Sequence, residues 1–521
     1  MTITARRRVA LLRGLALVCA CSLSIGSHFG QNTLGPLKSQ LSREKGTSNA
    51  QFGLLIAAFA LNSTWTPLVG GLFTARLGTA LSSIIATSII FGGQLILLLG
   101  DLSGSVKTMV FGMFIFGLGI SPLSVVQETI IVRYFKDHGL GLSLALGLVA
   151  GKIASFVSAR ISFPLSQWNP HAPFVVSTLL AGFSFVVNLF YLWYDKWIAN
   201  EIGVEAEDFG SGSGEAALHE VTAKRRVRIG DLLNMGDIFW LYIAINVFCG
   251  FIWTPFPHLA PNIIEKRYNL SEGRAAEESS ILLAGSMFLY PICGYITDTI
   301  KKRSIVHKLL LLSSVLTLMC YAWLTLPPTL TGTPLPAMLS FGLGIGFSPL
   351  LLVIIVPHLV PLPYVSTALG AHKSIESSGS TIMQTLAGLV LDTKSRTSAS
   401  AIQKVLNVFF ALNICQFIGV YTMMIFDEAH RRRLLKQLPE DSEYEALAAN
   451  EESPEHESEE MQELHPREHA RPSRSFLPPE MIATPAERQR GKVFFVLSAV
   501  TIFGTWIMFM TSAGFEFRGS T

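Results

Sequence analysis

A few ionisable or strongly polar side chains sit in stretches of this chain that are otherwise apolar: Gln127 and Glu128, then Lys152, and much later Lys373 and Glu376. A charge in such a stretch costs about 2.5–3.5 kcal/mol on membrane-insertion scales, so it belongs in a bundle interior or a water-filled cavity. Lys152 follows Gly151 in mid-stretch and has the chemistry to pair with a substrate carboxylate; its structural alternative is an ion pair with a carboxylate of a neighbouring helix. Lys373 and Glu376 are three residues apart and share one helix face, where they either neutralise each other or part around a zwitterion. Glu128 suits an ammonium group or a proton, and equally a gate ion pair with Arg133. His28, His258, His358 and His372 are candidates for sensing an acidic compartment, against the plainer role of hydrogen-bonded packing residues. Arg160, near the end of its stretch, is expected to snorkel to the headgroups.

These residues fall within an internal repeat. Phe116-Gly117-Leu118-Gly119-Ile120-Ser121-Pro122-Leu123 returns as Phe341-Gly342-Leu343-Gly344-Ile345-Gly346-Phe347-Ser348-Pro349-Leu350. Paired repeats with Gly- or Pro-interrupted spans point to the substrate path of a transporter. Pro122 and Pro349 are expected to break their helices at matching places, letting each flex as one half rocks against the other. The glycines mimic a nucleotide fingerprint, but no strand precedes them and no acidic ribose ligand follows. They read as helix-packing and hinge residues.

The elements that carry these groups must be membrane helices. Half of the 521 residues are hydrophobic, 15% are charged and the mean hydropathy is +0.44, too apolar for a soluble chain of this length. Apolar runs of about 20 residues, enough to cross a bilayer, lie near 12–32, 52–75, 80–100, 108–132, 139–165 and 174–194. After a polar linker six more follow, near 238–262, 278–299, 307–326, 335–360, 365–391 and 402–426. Period-2 alternation is lacking, which excludes a barrel. The organisation expected is a six-helix bundle over 1–195, a cytosolic linker over 196–235, a second six-helix bundle over 236–427, a disordered acidic and Pro-rich cytosolic tail over 428–491, and one extra transmembrane helix over 492–515.

Lys and Arg of the short loops, with the clusters Arg6 to Arg8 and Arg431 to Arg433, gather on one side, which marks that side as cytosolic. Asn269-Leu270-Ser271 then becomes a non-cytosolic glycan acceptor. The six cysteines all lie in apolar runs and read as packing residues. No P-loop, metal-ligand spacing or nucleophile with a base is present, so no enzyme, cofactor or metal is expected. The net charge of +3 implies no nucleic-acid partner. Tyr444-Glu445-Ala446-Leu447 has the form of an endosomal sorting signal.

Twelve spans in two sixes joined by a basic linker resemble the major facilitator superfamily. Gly294-Tyr295-Ile296-Thr297-Asp298-Thr299-Ile300-Lys301-Lys302-Arg303 is similar to its loop motif after the second span of each half, in which Asp298 and Lys301 would form a cytoplasmic charge clamp. In the first half, Gly70-Gly71-Leu72-Phe73-Thr74-Ala75-Arg76-Leu77-Gly78 keeps Arg76 and has Ala75 where the family has Asp, implying a weaker clamp. Within the superfamily the chain resembles the group called major facilitator superfamily domain-containing protein 1, whose animal members are lysosomal dipeptide transporters. The likeness runs through Phe116 to Gln127, Tyr134-Phe135-Lys136, Pro255-Phe256, Thr367-Ala368-Leu369-Gly370, Ser374-Ile375 and Ala387 to Asp392. It implies dipeptide export from a lysosomal or vacuolar lumen by alternating access, and an accessory glycoprotein subunit as partner. The resemblance places Ser121 and Lys152 where the group has a Glu and an Arg that contact the dipeptide. The cation is kept and the acid is lost, which bears on any preference for cationic dipeptides unless Glu128 or Glu376 replaces it. The substrate site expected is therefore Lys152, Ser121, Gln127, Glu128, Lys373, Glu376 and His258. The rival readings are a monocarboxylate or sugar carrier of the same superfamily, and a transport-inactive receptor that signals through the acidic tail.

Overall fold

The computed structural model describes residues 3–68, 77, 79–135, 140–201, 229–299, 303–360, 365–392, 398–437 and 485–518. Among them every regular element is a helix and there is no strand. Span 1 is Ile3–Leu23 continued by Ile25–Thr33. Span 2 begins with Asn49–Asn62, span 3 is Thr79–Leu102, span 4 Val106–Phe135, span 5 Leu140–Trp168 and span 6 Ala172–Glu201. Span 7 is Asp237–Trp253 with Pro255–Tyr268, span 8 Glu272–Thr299, span 9 Arg303–Thr325, span 10 Leu335–Ile345 with Ser348–Leu359, span 11 Val365–Asp392, span 12 Ser398–Gln437 and span 13 Pro485–Arg518.

Nine helices among the described residues are long and apolar enough to cross a membrane. Spans 1, 2, 8 and 11 are not among them: the described helix of span 2, Asn49–Asn62, is too short to count, and for spans 8 and 11 composition explains it. Span 11 carries His372, Lys373 and Glu376 with a run of Ser and Thr, and span 8 opens with Glu272, Arg274, Glu277 and Glu278. Polar spans of this kind have to be enclosed by apolar ones, because lipid solvates none of these groups.

The buried apolar side chains form two clusters. One runs from Ala16 to Tyr191 and takes in Phe509 of span 13; the other runs from Leu232 to Met423. Each is the interior of one six-helix bundle. The sequence repeat reappears in the packing. A Cβ on Gly117 of span 4 would lie 2.7 Å from the Phe59 carbonyl oxygen of span 2, and one on Gly342 of span 10 would lie 2.7 Å from the Ile281 carbonyl oxygen of span 8. Only glycine lets the backbones come this close. Two residues on, Gly119 abuts Ala86 and Ile90 of span 3, and Gly344 abuts Ser313 and Thr317 of span 9. Spans 2, 3 and 4 thus relate to one another as spans 8, 9 and 10 do.

The proline expectation holds in one half only. Span 10 is interrupted between Ile345 and Ser348, with Pro349 in the first turn of the new helix, where a missing N–H costs nothing. Span 4 continues through Pro122 from Val106 to Phe135. The second copy has two extra residues, Gly346 and Phe347, in which to turn; the first has none. The tail is also shorter than the sequence suggests, since span 12 stays helical to Gln437 and span 13 starts at Pro485. Arg76, Lys301 and Tyr444 to Leu447 lie outside the described residues, as do the side chains of Asp298, Arg133 and His358.

The side on which spans 6 and 7 end at Glu201 and Asp237 is here the linker side, and the other the distal side. The halves close on each other distally. Asn49 of span 2 donates its backbone N–H to Asp392 of span 11 (3.2 Å) and its side-chain amide to the Leu391 carbonyl (3.1 Å). Gly388 of span 11 approaches Gly53, and Gly35 after span 1 approaches His258 of span 7. The Arg160 guanidinium of span 5, near the distal end of that span, meets Glu277 of span 8 at 2.5 Å across the two halves.

Candidate functional site

Lys152 lies near the middle of span 5 and is only partly exposed. Its Nζ sits 5.3 Å from the ring centroid of Tyr290, a buried residue of span 8. The cation therefore meets an aromatic face of the opposite half, an attraction of about 0.5–2 kcal/mol that leaves the ammonium hydrogens free to meet an anion. Beside it, Gly151 makes room for the His28 ring of span 1, and Ser155 Oγ lies 3.4 Å from His28 Nδ1.

Gln127 ties three spans of this half together. Its amide donates to Ser24 Oγ (3.4 Å), at the interruption of span 1, and to the Gly147 carbonyl of span 5 (3.5 Å). Glu128 and Ser121 are half-buried on the same helix, and the Ser121 carbonyl accepts the Ser124 hydroxyl (2.8 Å).

In the second half, Glu376 of span 11 is the centre of a polar chain. Lys373 Nζ donates to its Oε2 at 3.0 Å, and His372 Nε2 lies 3.5 Å from the same oxygen. His372 Nδ1 is 2.7 Å from the Tyr242 hydroxyl of span 7, and the two rings stack with centroids 5.5 Å apart. That hydroxyl also lies 3.0 Å from the Leu352 carbonyl of span 10. Since His372 uses opposite nitrogens toward Tyr242 and Glu376, spans 7, 10 and 11 share one hydrogen-bonded line. Close packing supports it: a Cβ on Gly250 of span 7 would strike the Glu376 carbonyl oxygen. The Glu376 side chain is 14% exposed and that of Lys373 52%, so the carboxylate is held inside while its partner ammonium reaches outward.

The structure thus puts a cation near the middle of a span of one half and a carboxylate, paired with a more exposed cation, on a span of the other. It places His258 elsewhere, buried in the distal closure against Gly35. Among the described residues no cluster of His, Cys, Asp and Glu has the makings of a metal site. Sequence reasoning missed Tyr290 and Tyr242, because an aromatic in an apolar run looks like packing whether or not a charge lies over it.

Two pseudo-symmetric helical bundles, each with charged groups on a central span, and one further helix define a membrane transporter. The chain belongs to the Major Facilitator Superfamily, whose family model matches residues 20–383. It is 25% identical over 398 residues to a Homo sapiens protein named lysosomal dipeptide transporter MFSD1, covering 73% of this chain and 80% of that one. The Gallus gallus protein of the same name is 26% identical over 425 residues, covering 80% and 85%. In fold it resembles the nucleoside transporter NupG, with a TM-score of 0.61 at 13% identity over 79% of this chain and 98% of that one.

Proposed function

We propose that this transporter carries dipeptides, or small compounds with similarly spaced amino and carboxylate groups, from a lysosomal or vacuolar lumen to the cytosol by alternating access. The linker side is then cytosolic and the distal closure lumenal. The observation that carries the reading is the division of charge between halves, Lys152 over Tyr290 in one and Glu376 beside Lys373 in the other. A zwitterion matches both: its carboxylate takes Lys152, and its ammonium replaces Lys373 at Glu376. Relatives named dipeptide transporters support the same substrate class. Without the acidic partner at Ser121, selection for a cationic side chain falls to Glu128 or to Glu376.

Uptake of labelled cationic, neutral and acidic dipeptides into liposomes holding the purified full chain, with and without a proton gradient, tests this. Saturable uptake that competes with unlabelled dipeptide is expected. Failure of every dipeptide, with uptake of a monocarboxylate, would move the assignment to a carboxylate carrier that engages Lys152 alone. Failure of all solutes by folded protein would favour a receptor.

A further inference from the structure

A polar cavity lies in the distal closure, apart from the central charges. It measures about 270 Å³ and is lined by residues of both halves, among them Lys38, Thr47 and Phe52 from the first and Asn262, Glu265 and Lys266 from the second. Lys38 is in the short helix Lys38–Lys45 that joins spans 1 and 2, outside the membrane-spanning segments. It is 4% exposed, and its Nζ makes no hydrogen bond among the described residues. Its Nζ lies 5.5 Å from the centroid of the Phe52 ring. Thr47 Oγ1 is likewise buried without a partner.

The carboxylates of the cavity already have partners within its lining. Glu265 accepts the Ser39 hydroxyl, and Glu272 is paired with Arg43 at the rim. The lining holds three cations, Lys38, Arg43 and Lys266, against two carboxylates. A buried ammonium and a buried hydroxyl, neither hydrogen-bonded among the described residues and both lining one polar cavity, call for an acceptor-rich occupant.

We propose that this cavity binds a small monovalent anion, chloride or a free carboxylate, between Lys38 and Thr47, and that the bound anion stabilises the distally closed state. Closing the halves buries the Lys38 charge. An anion from the distal side offsets that cost and so couples gate closure to the ionic content of that compartment.

The charge on Lys38 is itself conditional. Burial, and then the neighbouring Lys266, hold its ammonium down to about 7, against the opposing pull of Glu265 and of Asp392 from span 11. Below that value Lys38 is charged and attracts an anion; as pH rises through it the proton leaves and so does the attraction.

The test is the melting temperature of the purified full chain in chloride, in acetate and in methanesulfonate at equal ionic strength. At about pH 6, about 150 mM chloride or acetate is expected to raise it by about 2–4 °C over methanesulfonate. A rise with only one of them identifies the anion. The rise should disappear at about pH 9 and in Lys38→Met, which, relieved of an uncompensated charge, should melt no lower than wild type in methanesulfonate. Absence of an anion effect at the acidic pH, or the same effect at the alkaline pH or in Lys38→Met, overturns the proposal. The pH comparison uses wild-type protein and decides the matter even where the variant fails to fold. Neither arm depends on which solute the central site carries.

Discussion

Arg490, in the first turns of span 13, clasps Asp237 at the start of span 7, with Nε 3.1 Å and Nη2 2.5 Å from Oδ2. At the same level Phe494 lies against Trp240 of span 7. Further along, the contacts change halves: the Trp506 indole N–H donates to Thr64 Oγ1 of span 2 (3.0 Å), its ring meets Phe114 of span 4 edge-on, and the Ser48 hydroxyl donates to Glu516 (3.3 Å). Span 13 is therefore a diagonal strap, tied to the second half on the linker side and to the first half distally.

A strap tied to both halves resists their relative motion. Trp506→Ala removes one hydrogen bond and one aromatic contact, about 1–2 kcal/mol together, and loosens the helix's hold on the first half. The expected outcome is a modestly lower melting temperature with faster turnover in liposomes. Slower turnover at an unchanged melting temperature would show that the helix serves transport in some other way.

At the central site, Lys152→Ala should lower uptake of carboxylate-bearing substrates by about tenfold or more, since one charge-assisted hydrogen bond contributes about 1.5–3 kcal/mol. Tyr290→Phe keeps the aromatic face and should transport near the wild-type rate. Tyr290→Ala leaves the ammonium without its support and should fall toward Lys152→Ala. Initial rates over a range of substrate concentrations separate these cases, and Tyr290→Phe behaving like Tyr290→Ala would mean that the hydroxyl matters and the ring does not.

The sequence showed the bundles plainly. Long apolar runs are forced to be helices by the bilayer, and the Phe-Gly-x-Gly repeat located equivalent spans because close helix contact admits little but glycine at Gly117 and Gly342. Lys152 and Glu376 were also legible, since a charge in an apolar run is costly wherever it points. What the sequence concealed was pairing between distant segments. Arg160 finds Glu277, and His258 belongs to the distal closure, and neither follows from local pattern. Lys38 was the least legible: a lysine in a short connecting segment is ordinarily solvated, and only the meeting of the two halves buries it.

Whether Lys373 and Glu376 are a structural pair or a substrate latch is decided by a double-mutant comparison. Glu376→Gln strands the Lys373 ammonium and weakens the line to His372 and Tyr242, so both stability and uptake should fall. Adding Lys373→Met removes the stranded charge and is expected to restore the melting temperature while uptake stays low. Recovery of uptake in the double variant would reduce the pair to mutual neutralisation.

The distal closure offers the sharpest test of alternating access in this chain. Gly388 of span 11 lies so near span 2 that an added Cβ would meet the Asn49 carbonyl oxygen at 2.7 Å and the Gly53 Cα at 3.2 Å. Gly388→Leu cannot fit there without driving the spans apart, which also breaks the bonds from Asn49 to Asp392 and Leu391. The altered position faces the other half and leaves each bundle's interior intact, so the protein should fold and reach the membrane. It should be held open on the distal side. Substrate added from that side is then expected to bind with wild-type affinity or better, because the cost of opening is already met, while net transport falls by about tenfold or more. A cysteine placed at Ser42, on the rim of the distal cavity, should react with an impermeant maleimide faster in this background than in wild type. Equal labelling rates together with wild-type flux would mean that the contact at Gly388 does not control the gate.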